Sequence, residues 1–149
     1  MRILALDVGT KRIGMAVSDP LGLTAQGLGV LERRNLEADL KLLRRVIEEK
    51  GVTSLLLGLP RNMNGTLGEK AREVQEFGDM LAREFGLAVE YQDERLSTKA
   101  VEGTLIAADV SRRKRRQVVD KLAAVFILQG YLDRKGSQNN RGSIDKEME

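Results

Sequence analysis

Met1-Arg-Ile-Leu-Ala-Leu-Asp7-Val-Gly-Thr-Lys-Arg12-Ile-Gly-Met-Ala-Val-Ser18-Asp19 opens the chain. The run Ile3-Leu4-Ala5-Leu6 is continuously apolar and ends in turn-forming residues, which predicts a strand buried on both faces. Asp7 stands at its end. Gly9 and Thr10 turn the chain, and Arg12 to Ser18 returns as a second strand, with Ile13, Met15 and Val17 alternating with small residues. A carboxylate at the end of a buried strand is costly unless something pairs with it. Asp7 is either a turn-former, bonding nearby backbone, or part of a metal or phosphate site.

Working outward, Asp19-Pro20-Leu21-Gly22 fits a type I turn. A third strand from about Leu23 to Glu32 completes an antiparallel meander, although its glycines weaken it. Asn35 is placed to cap a helix whose apolar positions Leu36, Leu40, Leu43 and Ile47 recur at helical spacing and which Gly51 ends. Thr53 to Leu59 is a further buried strand closed by Pro60. Ala71, Val74, Phe77, Leu81 and Phe85 mark a second amphipathic helix, over 68–85. Leu87 to Gln92 is a fifth strand. Ser97 can cap a third helix carrying Val101, Leu105 and Ala108. The last helix contains Val118, Val119, Leu122, Phe126 and Ile127 and runs to about Asp133. The order β-β-β-α-β-α-β-α-α predicts an α/β fold: a mixed five-stranded sheet with helices on its faces. Residues 1–134 form one domain, and 135–149, poor in apolar residues, form a disordered polar tail.

Composition narrows the chemistry. The 149 residues contain no cysteine and no histidine. Thiolate nucleophiles, zinc–thiolate sites and the commonest general base are therefore excluded. Metal chemistry must run on carboxylates, which suit hard ions such as Mg²⁺ or Mn²⁺. With 25 Lys and Arg against 22 Asp and Glu, net charge alone does not argue for nucleic acid. Neither a secretory pattern nor a membrane-spanning run is present, so the expectation is a soluble cytoplasmic protein without a membrane partner.

Sites on α/β sheets lie beyond the carboxyl ends of parallel strands. Asp7 ends the first strand, and Asp93 and Glu94 end the fifth; the pattern leaves open which of these two faces the site. Asp120 shares a helical side with Arg113, Arg116, Ala123, Ala124 and Ile127, and the small and apolar members turn that side toward the sheet. Alone, Asp120 reads better as an ordinary helix acid paired with Arg116. Three acids aimed at one rim would repel one another, and a pair of divalent ions, of the kind that supports phosphodiester cleavage, resolves the repulsion.

Four stretches together resemble the YqgF, or RuvX, family: Leu6-Asp7-Val8-Gly9-Thr10-Lys11-Arg12-Ile13-Gly14, Gly58-Leu59-Pro60-x-Asn62-x-x-Gly65, Asp93-Glu94-Arg95-Leu96-Ser97-Thr98 and Asp120-Lys121-x-Ala123-Ala124. They follow the family's order and cover nearly the whole chain up to the tail. The resemblance implies an RNase H-like nuclease domain related to Holliday-junction resolvases and a part in maturing the 5′ end of 16S rRNA. It places the catalytic, metal-holding acids on Asp7, Glu94 and Asp120.

Basic residues accompany each acid: Lys11 and Arg12 the first, Arg95 the second, Lys121 the third. Arg112, Arg113, Lys114, Arg115 and Arg116 form a continuous run just before Asp120. Such a run is often a solvated surface, but beside an acid cluster it suits phosphate contact. Three Phe, two Tyr and no Trp leave little for base stacking. A structured RNA or branched DNA, read by shape and phosphate, is the expected partner. The outward positions Glu69, Lys70, Arg72, Glu73 and Glu76 are charged, which predicts a monomer or weak homodimer. Two rival readings remain. Asp7-x-Gly-Thr also resembles the phosphate loop of actin-like and sugar-kinase ATPases, but those need a second such domain. A non-catalytic ribosome-assembly module would have no need of three acids.

Overall fold

A computed structural model describes residues 1–60, 68–93 and 122–136. Its elements are β1 (Ile3–Val8), β2 (Arg12–Ser18), β3 (Ala25–Glu32), α1 (Leu36–Lys50), β4 (Ser54–Leu59), α2 (Glu69–Phe85) and β5 (Ala88–Asp93), followed by helical residues 122–136. The five strands form one mixed sheet in the order β3-β2-β1-β4-β5. β1, β2 and β3 are antiparallel neighbours, whereas β4 pairs parallel with both β1 and β5. This is the α/β, RNase H-like arrangement expected from the meander and the helix-linked strands. Among the described residues no helix is long and apolar enough to cross a membrane.

Strand alternation sorts the apolar residues into two layers. Leu4, Leu6, Ile13, Val17, Leu55 and Leu57 share a cluster with Leu43 of α1 and with Val74 and Leu81 of α2. Ile3, Ala5, Ala16 and Leu56 share the other with Ala124, Ile127, Leu128 and Leu132. The continuous apolar run of β1 therefore feeds both layers, and its four residues are buried.

The helix ends follow from local chemistry. The Asn35 side chain accepts from the Ala38 amide at 2.9 Å, and Gly51 takes a left-handed conformation at φ 62° that costs glycine little. At Asp19–Gly22 the Gly22 amide donates to the Asp19 carbonyl at 2.9 Å, as the turn requires. The Asp19 carboxylate also accepts from the Leu23 and Thr24 amides, at 2.7 and 2.8 Å. These bonds hold 23 and 24 in the turn, so β3 begins at Ala25 rather than Leu23. The glycines of β3 mark a bulge: Met15 pairs with Gly29 and Ala16 with Gly27, leaving Leu28 as the extra residue.

Four expectations are corrected. Leu36, counted on the inward stripe of α1, is half exposed, because the inward place in the first turn belongs to Asp39, buried together with Leu43. Phe126 is also half exposed, since Ala123, Ala124, Ile127 and Leu128 fill the inward side of its helix. With Leu42 exposed as well, the outward helix faces are less uniformly polar than the charge pattern suggested. The last helix continues through residue 136, three residues beyond Asp133.

Candidate active site

Asp7 lies on the sheet face that carries Ile3 and Ala5, by the two-residue period of β1. This is the face covered by residues 122–136. The parallel ladder between β1 and β4 ends at Leu6 and Leu57. Asp7 is thus the first residue of β1 past that ladder, where the two parallel strands part. On the other flank its partner is Gly14, a buried residue with no side chain. Asp7 is half-buried.

The chain after Asp7 is held by a set of contacts that sequence reasoning missed. The Gly9 amide donates to the Arg12 carbonyl at 2.8 Å, and a Cβ on Gly9 would stand 2.8 Å from that same oxygen. Only glycine fits there without moving the turn. Arg33, just after β3, donates through Nη1 to the Gly9 carbonyl at 2.8 Å. Its own amide donates to the Lys11 carbonyl at 2.9 Å. The guanidinium lies 5.2 Å from the centre of the Phe77 ring, and its Nε is 3.8 Å from Asp39 Oδ2. Asp39 is 3% exposed and also accepts from the Arg34 amide at 3.1 Å. The available signal was an acid four residues before a core leucine, Leu43, on the inward side of α1.

Lys11 sits on the turn, exposed, and Arg12 opens β2, half-buried. Asp93 ends β5, but on the wrong face for Asp7: Val89 and Tyr91 pack in the α1/α2 layer, and the two-residue period puts Asp93 with them. Ala123, Ala124 and Ile127 are buried, so the side of the last helix expected to face the sheet does so. Glu94, Arg95, Arg112, Arg113, Lys114, Arg115, Arg116, Asp120 and Lys121 lie outside the described residues, as does the Asn62–Gly65 motif. Among the described residues no group of three or more acids could hold a metal ion.

The last helix ties the two sheet edges together. Gln129 accepts from the Ala25 amide at 3.0 Å and donates to the Leu23 carbonyl at 3.1 Å, so it bonds backbone at the start of the edge strand β3. Arg134 donates to Gln92 of β5. Burial, then a hydrogen bond and the charge of Glu90, push the Tyr131 hydroxyl up to about 12.

Known proteins resemble this chain over most of its length. The model of the RuvX family, described as a Holliday junction resolvase, matches residues 1–134. A candidate pre-16S rRNA nuclease of Moorella thermoacetica is 58% identical over 136 residues, covering 91% of this chain and 97% of its own. A protein of the same designation from Geobacillus kaustophilus is 56% identical over 137 residues, covering 91% and 99%. Among solved structures, RuvC of Thermus thermophilus in complex with a Holliday junction aligns with a TM-score of 0.56 at 15% identity, over 91% of this chain and 96% of that one. The fowlpox virus resolvase with its junction DNA aligns with a TM-score of 0.54 at 13% identity, over 90% and 98%. At such identities these two structures speak to the fold.

Proposed function

The chain belongs to the RuvX family, and from that premise we propose that it is a divalent-metal-dependent nuclease acting on the precursor of 16S rRNA. The observation that carries the reading is the place of Asp7: a half-buried carboxylate past the end of a parallel ladder, flanked by a glycine, on the face covered by the last helix. The choice of RNA follows the designation of relatives more than 50% identical over nine-tenths of the chain.

Asp7, Glu94 and Asp120 are the acids assigned to the site. Asp93 faces the opposite layer, which leaves Glu94 as the contribution of that strand end. Ala124, four residues after Asp120, is buried in the cluster that holds Ala5, two residues before Asp7. The donor set fits hard ions: carboxylate oxygens, with no imidazole or thiolate in the chain. Bound Mg²⁺ or Mn²⁺, as a pair, would supply an activated water and neutralise charge on the leaving oxygen. Lys11, on the turn after Asp7, and Arg12, at the start of β2, would hold a backbone phosphate against the acids. Arg95, Lys121 and the run Arg112 to Arg116 extend that grip, and replacing the run with Gln should flatten the salt dependence of binding.

The family description and the shared fold favour branched DNA as the second reading. The test offers purified protein, with Mg²⁺ or Mn²⁺, a precursor rRNA and a four-way DNA junction side by side. Cutting of the precursor alone is expected, with Asp7→Asn folded and at least about 100-fold slower, beyond the usual cost of losing an outer-shell partner. Symmetric paired nicks in the junction would reverse the substrate order. Undiminished cleavage by Asp7→Asn would remove the site assignment. Sedimentation of the free protein should show a monomer or weak dimer, and a stable two-fold dimer would favour the junction.

A further inference from the structure

Past Leu6, β1 has lost its pairing with β4. Among the described residues, its sheet neighbour there is β2, and the segment from Asp7 to Lys11 carries the acid and Lys11, one of the groups assigned to phosphate. A second fastener is present on the opposite side of the sheet from Asp7. Arg33 bonds the carbonyls of both Gly9 and Lys11, one through its side chain and one through its own amide. The guanidinium is itself fixed, against the Phe77 ring of α2 and beside Asp39 of α1.

The arrangement is not what packing alone would select. Asp39 is almost fully buried among the inward positions of an otherwise apolar helix stripe. Burying a carboxylate costs free energy that an apolar side chain would not, and apolar replacement of a whole buried ion pair is often neutral or stabilising. What the pair provides is a rigid link from the two helices to the turn. Lysine cannot replace it, since an ammonium lacks the planar fork that serves several partners in fixed directions.

We propose that Arg33, locked by Asp39, is the positioning residue of the metal site: it fixes the turn after Asp7 and so sets the affinity of the site for divalent ions. The inference rests on the assignment of Asp7 to that site. The sign of the effect separates it from simple electrostatics. Removing a nearby positive charge should tighten the binding of a cation, whereas loosening the turn should weaken it.

The experiment measures Mn²⁺ binding to the full chain by the electron spin resonance of free ion, with thermal melting alongside. The variants are Arg33→Lys, Arg33→Met, the double change Arg33→Met with Asp39→Leu, and Asp7→Asn as reference. Arg33→Lys and Arg33→Met should bind Mn²⁺ more weakly by about 10- to 100-fold, the range typical of lost outer-shell partners. The half-saturating Mn²⁺ for cleavage should shift by the same factor while the KM for nucleic acid stays put. In the double variant no buried charge is left unpaired, so melting should return toward wild type while Mn²⁺ binding stays weak. Wild-type or tighter Mn²⁺ affinity in a folded Arg33 variant, or in the double variant, overturns the positioning role. If Asp7→Asn loses Mn²⁺ while the Arg33 variants keep it, the positioning role alone fails. If Asp7→Asn itself binds as wild type does, the metal-site reading fails with it.

Discussion

The two faces of the sheet are built on different scales. Toward α1 and α2 the strands offer Leu4, Leu6, Ile13, Val17, Leu55 and Leu57, and the helices answer with leucine, valine and phenylalanine. Toward residues 122–136 the strands offer Ile3, Ala5, Ala16 and Leu56, and one helix answers with Ala124, Ile127, Leu128 and Leu132. The first layer gathers more buried side chains against two helices, while the second is thinner, one helix with alanines on both strand and helix. The acid Asp7 belongs to the second face. The thicker layer therefore supplies most of the apolar burial, and the thinner layer is the one that carries Asp7.

The comparison breaks most visibly under opposite substitutions. Leu57→Ala, at a fully buried position, should cost about 2–5 kcal/mol of stability, with cleavage per folded molecule close to wild type. Denaturant unfolding and an active-site titration would show both. Ala5→Leu, on the thin face, should cost less, about 1–3 kcal/mol from overpacking. Its cleavage should fall further than that loss explains, because the helix is pushed outward. If the two variants lose stability and activity in the same proportion, the division of labour is wrong.

A smaller effect concerns the helix's grip on the sheet edge. Gln129→Ala removes the bonds to Ala25 and Leu23 and should cost on the order of 1 kcal/mol. Amide exchange should quicken at Ala25 more than at Leu4 or Leu6. Smallest is the effect of pH on Tyr131, raised from 10.0 to about 12. A raised phenol favours the folded state in full below its unfolded pKa, and that contribution is lost as pH climbs from 10 toward 12. Tyr131→Phe should flatten the alkaline part of the melting curve in that window.

Much of this architecture was legible in the residues. The run Ile3 to Leu6 marked a strand buried on both faces, and Asn35 and Gly51 bounded α1, because caps and apolar periods are local signals. Asp7 stood out as a strand-end acid, and Ala123, Ala124 and Ile127 correctly marked the inward side of the last helix. The bulge at Leu28 was less visible, since its glycines could equally have weakened the strand. The choice between Asp93 and its neighbour was not legible, because it depends on which face Tyr91 takes in the assembled sheet. Arg33 and Asp39 escaped for the same reason: their partners, Gly9 and Phe77, are distant in sequence, and no local period announces them.

The bond between Ala25 and Gln129 joins residues 104 positions apart. Contacts of that separation pay the largest loop-closure entropy and are the costliest to form early, while the β1-β2-β3 meander closes through short turns. During synthesis the meander emerges first, and the thin layer has to wait for the last helix. A ribosome translating this protein therefore carries a domain with one sheet face uncovered until residues 122–136 have left it.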